Sequence, residues 1–292
     1  MALTITGYNF RRWHKNTRIF IAFALGFILC FMLTQKAVHF AEEHGTIMQL
    51  AEAFVWTFGD GQSVMLMSLL LVLLFADMPF LAPITPYYLS RCTRFAWLMG
   101  QLLYIFLSTA LFMLFVLVST CILTMTQSFA GNQWSETAAI LGYSGAGQQV
   151  ALPALVRTLE RSLPYECMVH IFVLMLLYSL SLVSLMLTLN LKKGAAAGIG
   201  GAFAYSMFGF LLSPGTFGVL LQLPERQMYR ANLIVGWLSP LNHATYHMHN
   251  FGYDALPTLH QSWIVFLGMI FLLNFCAYWV IRHYNFQFSG KM

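Results

Sequence analysis

Apolar residues in this chain come in long continuous runs and show no period-two alternation. Six runs, near 19–38, 62–83, 95–126, 168–191, 195–223 and 263–282, match the roughly 20 residues that a helix needs to cross about 30 Å of hydrocarbon. Inside that layer no water satisfies the backbone, so only helices or closed barrels persist, and unbroken runs select helices. The pattern predicts an all-α integral membrane protein with six transmembrane helices in a single domain, 1–292.

Composition agrees: 59% of residues are hydrophobic, 16% aromatic and 9% charged, against about 25% charged in a soluble domain. The net charge of +5 is dispersed over several loops and forms no stripe, so it reports topology and does not suggest nucleic-acid binding. Taken by alternate connections, Arg11, Arg12, Lys15, Arg18, Arg91, Arg94, Lys192, Lys193, Arg282 and Lys291 fall on one side. Lys36, Arg157, Arg161, Arg226 and Arg230 fall on the other. The richer side also has the tightest loops, which places both termini in the cytoplasm. The basic residues before the first run precede a stretch too long for a signal-peptide core, and no Ala-x-Ala site follows, so this span is expected to stay in the mature protein. The absence of N-x-[ST] sequons leans toward a bacterial inner membrane.

The outer connections, about 39–61, 127–164 and 224–262, are long and carry structure of their own. In the second, Pro153 precedes Leu155, Val156, Leu159 and Leu163, with Arg157, Glu160 and Arg161 opposite, the pattern of an amphipathic helix on the outer membrane surface. In the third, Trp237 to Phe251 is too apolar for an exposed loop and reads as helices that dip back before span six. On the inner side, Pro79, Pro83 and Pro86 break the end of span two, and a short basic helix restarts at Pro86 and runs to about Arg94. Such a rigid element is what a membrane subunit needs to dock into a groove on a soluble partner.

These features resemble the membrane (permease) subunits of type 2 ATP-binding-cassette (ABC) exporters. Tyr8 to Arg18 stands where that family has a cytoplasmic N-terminal amphipathic helix, Pro86 to Arg94 where it has a coupling helix, and Gly236 to Tyr253 where it has re-entrant outer helices. Asp77-Met78-Pro79 is only a loose equivalent of the family's acidic residue late in span two. The resemblance implies a separate cytoplasmic ATPase subunit that binds ATP and Mg, and a second membrane subunit in a homo- or heterodimer. It assigns ATPase coupling to Pro86, Tyr87, Tyr88, Ser90, Arg91 and Arg94, and an interfacial helix to Arg11, Arg12, Trp13 and Lys15. No G-x-x-x-x-G-K-[ST] loop is present, so the chain is not expected to hydrolyse ATP by itself.

Each assignment has a plainer rival. Arg91 and Arg94 also serve as topology anchors, and a basic interfacial helix with an aromatic residue contacts lipid headgroups in any case. Charges are nearly absent within the spans, which favours a driver outside the membrane over an ion gradient. Asn274 and Pro214 are candidates for a path or for helix packing, and Gly194 to Gly201 permits close helix approach. The 26 Phe, 13 Tyr and 17 Met suggest a greasy path for an amphipathic, peptide or lipid-like cargo, or simply faces turned to lipid. His243, His247 and His249 are weak metal candidates, because the position after His243 is Ala244 and not the glutamate a zinc protease needs. A membrane-embedded metal-dependent enzyme using His243 and His247, and a non-transporting scaffold or sensor subunit, remain the alternatives. The five cysteines contain no C-x-x-C pair, and a bridge between Cys121 and Cys167 is left open.

Overall fold

A computed structural model describes residues 1–79, 92–150, 152, 154–212, 214–220, 222, 224, 227–252 and 254–283. The chain is helical nearly throughout. Helix α1 (Ala2–Arg11) is followed by a 3-10 turn, Trp13–Lys15, and by the long α2 (Thr17–His44). Asn16 caps α2 by accepting from the Arg18 amide at 3.1 Å, and Gly45 ends it in the left-handed conformation, φ 60°, where glycine carries no steric penalty. Strand β1 (Met48–Gln49), α3 (Glu52–Phe58), α4 (Gly61–Leu69) and α5 (Leu71–Phe75) come next. After the undescribed residues 80–91 come α6 (Arg94–Thr124) and β2 (Ser128–Phe129), which pairs in parallel with β1. The short α7 (Glu136–Tyr143), α8 (Ala146–Gln149) and α9 (Val156–Arg161) lead into α10 (Pro164–Lys193) and α11 (Ala195–Leu211). Helices α12 (Pro214–Leu220), α13 (Met228–Leu238), α14 (Pro240–Ala244) and α15 (Leu259–Arg282) complete the chain.

Four helices, α2, α6 (with the turn that extends it to Gln127), α10 and α15, are long and apolar enough to cross a membrane. A fifth candidate is α3 together with α4 and α5, bent by 86° at the break. This is the composition of a multi-pass, all-α membrane protein. The runs at 62–83 and 195–223 end early as helices: α5 stops at Phe75, and α11 gives way at Leu212 before restarting at Pro214, whose ring cannot continue the ladder. The N-terminal helix also lies earlier than Tyr8 to Arg18, which covers the end of α1, the 3-10 turn and the first turn of α2.

The hub is α10. Of its apolar window 67% is buried, against 17% to 44% for the other three long helices. Its polar residues tie it to several neighbours. Ser179 Oγ meets Ser68 Oγ of α4 at 2.9 Å, Ser181 Oγ meets the Tyr205 hydroxyl of α11 at 2.8 Å, and Thr188 donates to the Leu273 carbonyl of α15 at 3.0 Å. Asn190 donates to the Met78 carbonyl at 2.6 Å. In an apolar surround such bonds select helix partners, because a lipid tail offers no substitute. The close packing anticipated for Gly194 to Gly201 is present: a Cβ at Gly198 would meet Asn190, and one at Gly201 would meet Leu189.

The cysteines are all free. Cys121 turns its thiol to the Leu50 carbonyl and Cys167 to Ser162 and Tyr246, so the bridge left open between them is not formed.

Candidate functional site

Both ends of the bundle are organised by polar side chains. At the basic end, α1 and the 3-10 turn after it lie against the first turns of α6 and are fastened three times. Thr6 donates to the Gly100 carbonyl at 2.9 Å, Asn9 donates to Gln101 Oε1 at 3.0 Å, and Trp13 Nε1 donates to the Tyr104 hydroxyl at 2.8 Å. Gly100 permits the approach, since a Cβ there would lie 2.9 Å from Ile5 Cβ and 3.0 Å from the Ala2 carbonyl. Arg18, at the start of α2, pairs with Asp77 just past α5. Arg94 Nη1 donates to the carbonyl of Ile281 at 3.2 Å and also to that of Arg282, which places a cation at the C-terminal end of α15.

Among the residues expected to couple to an ATPase, Arg94 is therefore engaged within the bundle. Pro86, Tyr87, Tyr88, Ser90 and Arg91 lie outside the described residues. Of the interfacial set, Arg11, Arg12 and Lys15 are exposed, and Trp13 is turned inward to Tyr104. Asn9, Gln101 and Tyr104 carry the docking and were not singled out for it from the sequence. A clue was available, because Thr6 and Asn9 fall three apart on one face of α1.

The opposite end is a layer of short elements. Glu52, fully buried at the start of α3, accepts from the Ser135 amide at 2.7 Å and from its hydroxyl at 2.6 Å. Arg157 pairs with Asp254 at 2.8 Å, and Thr158 lies 3.4 Å from His247 Nδ1. The stretch 153–163 thus contains a six-residue helix whose Thr158 is buried under the last connection, where the pattern predicted a longer helix on a membrane surface. Pro153 itself lies outside the described residues.

Near this end two cavities share Asp60 and Gln62. One, of about 490 Å³, is also lined by Lys36, Trp56, Thr57 and Ser63. The other, of about 440 Å³, reaches Gly209, Pro214, Leu241 and Thr245. Asp60 caps α4 by accepting from the amides of Gln62 and Ser63, which fixes its carboxylate between the two spaces. Pro214 accordingly stands in a cavity wall. Asn274 is not among the described residues that line either cavity, and its Oδ1 is buried within the bundle without a hydrogen-bond partner among the described residues.

The three histidines do not converge as ligands. His243 Nε2 faces the Trp237 carbonyl at 3.0 Å and its Nδ1 faces Ser262 Oγ at 2.8 Å. His249 Nδ1 faces the Tyr246 carbonyl at 3.1 Å and its Nε2 faces the same Ser262 Oγ at 2.9 Å. His247 packs against Gly59 and is directed to Thr158. Burial holds the basicity of all three below the ordinary histidine value, that of His247 and His249 at about 4. Among the described residues no three His, Cys, Asp or Glu side chains are grouped to hold a metal ion.

In comparisons with known proteins, the chain matches no family profile, no curated protein and no solved structure.

Proposed function

We propose that this chain is the transmembrane subunit of an ATP-driven type 2 ABC exporter, with six crossings, both termini in the cytoplasm and its basic end against the inner face of the cell membrane. The observation that carries this reading is the collar at that end. Helix α1 and the 3-10 turn after it are fastened to α6 through Thr6, Asn9 and Trp13, and Arg18 ties α2 to Asp77, so the elements on both flanks of residues 80–91 are bound to the N-terminal segment. A push on that connection would reach three helices at once, which is what a coupling element requires. ATP and Mg would be held by a separate cytoplasmic subunit, and a second copy or a related membrane subunit would complete the path. The two cavities at Asp60 place a carboxylate and the Lys36 ammonium beside apolar walls, which suits an amphipathic, peptide or lipid-like cargo moved outward.

The test is a mild-detergent pull-down from the native membrane, followed by an ATPase assay with and without Arg91→Glu. Co-purification of a nucleotide-binding subunit, with its ATPase activity lost or uncoupled by the substitution, is expected. A homo-oligomer without ATPase activity overturns the reading and favours a scaffold or sensor subunit.

A further inference from the structure

The collar encloses a cavity of about 420 Å³, within the size range of small-ligand pockets, and its lining has a definite charge. Among the described residues, Arg12, Lys15 and Arg18 line it together with one carboxylate, Asp77, a formal excess of two positive charges. Asn16 and Trp13 contribute to the wall between them. The cations converge because the chain folds twice there: the 3-10 turn carries Arg12 and Lys15 past the end of α1, and the Asn16 cap starts α2 with Arg18 in its first turn.

Depth in the bundle points to the same ligand chemistry. Phe20, 63% exposed, follows Arg18 by two residues and opens the apolar outer face of α2, so on that helix the lipid-facing surface begins within a turn of the cavity. The bonded pair of Trp13 and Tyr104 stands in its wall, and these two residue types favour the level of lipid headgroups. A cavity at that level with excess cationic lining is complementary to phosphate, and guanidinium groups bind phosphate oxygens in pairs.

We propose that this cavity binds an anionic phosphate group, held by Arg12, Lys15 and Arg18, with the phosphate displacing Asp77 from Arg18. The group is the phosphodiester of an anionic lipid or free inorganic phosphate. This inference takes the apolar helices as membrane-crossing and does not rest on ATP-driven export.

The full chain, purified in an uncharged detergent, is titrated in a calorimeter with short-chain phosphatidylglycerol, with short-chain phosphatidylcholine and with inorganic phosphate. Saturable binding of phosphatidylglycerol or phosphate, and none of the zwitterionic lipid, is expected. The tighter of the two identifies the source. Arg12→Gln with Lys15→Gln should weaken binding about tenfold or more. Lys192→Gln with Lys193→Gln, which removes two charges at the same end but away from the cavity, should leave it within about twofold. No saturable binding of either anion, or equal loss in both double variants, overturns the proposal. If Arg12→Gln with Lys15→Gln does not fold, Asp77→Asn decides: it keeps every cation and removes the competing carboxylate. Tighter binding supports the site, and unchanged or weaker binding overturns it.

Discussion

His243 Nδ1 lies 2.8 Å from Ser262 Oγ, and through that contact the last outer connection is bound to the first turn of α15. The same hydroxyl reaches His249 Nε2 at 2.9 Å, so one serine holds two buried imidazoles. Ser262→Ala removes the partner of both and leaves polar nitrogens unsatisfied in a closed site. A loss of about 1–3 kcal/mol is expected, read as a lowered thermal midpoint of the detergent-solubilised protein. An unchanged midpoint would show that the connection is held by other contacts.

Acidification should loosen the same region. His247 and His249 are held at about 4, below the unfolded value of about 6.5, because the imidazolium is poorly solvated there, and His243 is lowered for the same reason. A group with a depressed folded pKa contributes stability that is present above the unfolded pKa and is lost as pH falls through the window down to the folded one. The midpoint should therefore fall between about pH 6.5 and 4. His247→Gln, which cannot take up a proton, should flatten the decline. An equally steep decline in that variant would assign the pH dependence to other groups.

Glu52 should be the most sensitive carboxylate in the protein. Both of its oxygens are occupied by Ser135, whose hydroxyl in turn accepts from the Ala138 amide to cap α7, and Gln49 beside it donates to the Gly131 carbonyl at 2.8 Å. Glu52→Ala strands the Ser135 amide and opens a void, a loss of about 2 kcal/mol or more. Glu52→Gln keeps one acceptor for the amide and should lose clearly less. Equal losses in chemical denaturation would show that the cavity, and not the bonds, dominates.

What the sequence made legible follows from the solvent it evolved to meet. Runs of apolar residues locate α2, α6, α10 and α15 within a few residues, because hydrocarbon accepts little else. The break near Pro214 is likewise visible, because proline acts locally. The hub role of α10 is not, since Ser179, Ser181, Thr188 and Asn190 look the same in sequence whether they face Ser68, Tyr205, Leu273 and Met78 or a lipid. The histidines show the converse, a spacing in the sequence that the fold does not use. His243 and His247 have helical i, i+4 spacing, but α14 ends at Ala244 and the two rings go to different partners. Arg94 looks like a free cytoplasmic cation until α15 returns beside it.

That last pairing changes how charge reversal at the basic end should be read. Arg94→Glu would set a carboxylate against the carbonyls of Ile281 and Arg282 at a helix C-terminus, a repulsive placement. Loss of thermal stability in the isolated chain is expected for Arg94→Glu and a smaller loss for Lys193→Glu, whose side chain is exposed at the end of α10. If Arg94→Glu is as stable as the parent, the carbonyl contacts contribute little and the residue is available for a partner.

Gly100 offers the most direct test of the collar. A valine there must displace Ile5 and the Ala2 carbonyl, which stand 2.9 Å and 3.0 Å from the position of its Cβ, and neither is the far end of a flexible chain. Overpacking of this kind costs about 1–3 kcal/mol when the structure cannot shift, and here the cheaper response is for α1 to leave. The fastenings at Thr6 and Asn9, and that at Trp13 in the turn that follows, would then be lost together. Tryptic cleavage at Arg11 and Arg12 in the folded, detergent-solubilised protein should be slow in the parent and fast in Gly100→Val, with the thermal midpoint of the remaining bundle changed far less. Cleavage at the parent's rate would mean that α1 accommodates the larger side chain in place, and the collar would then be more pliable than its bonding indicates.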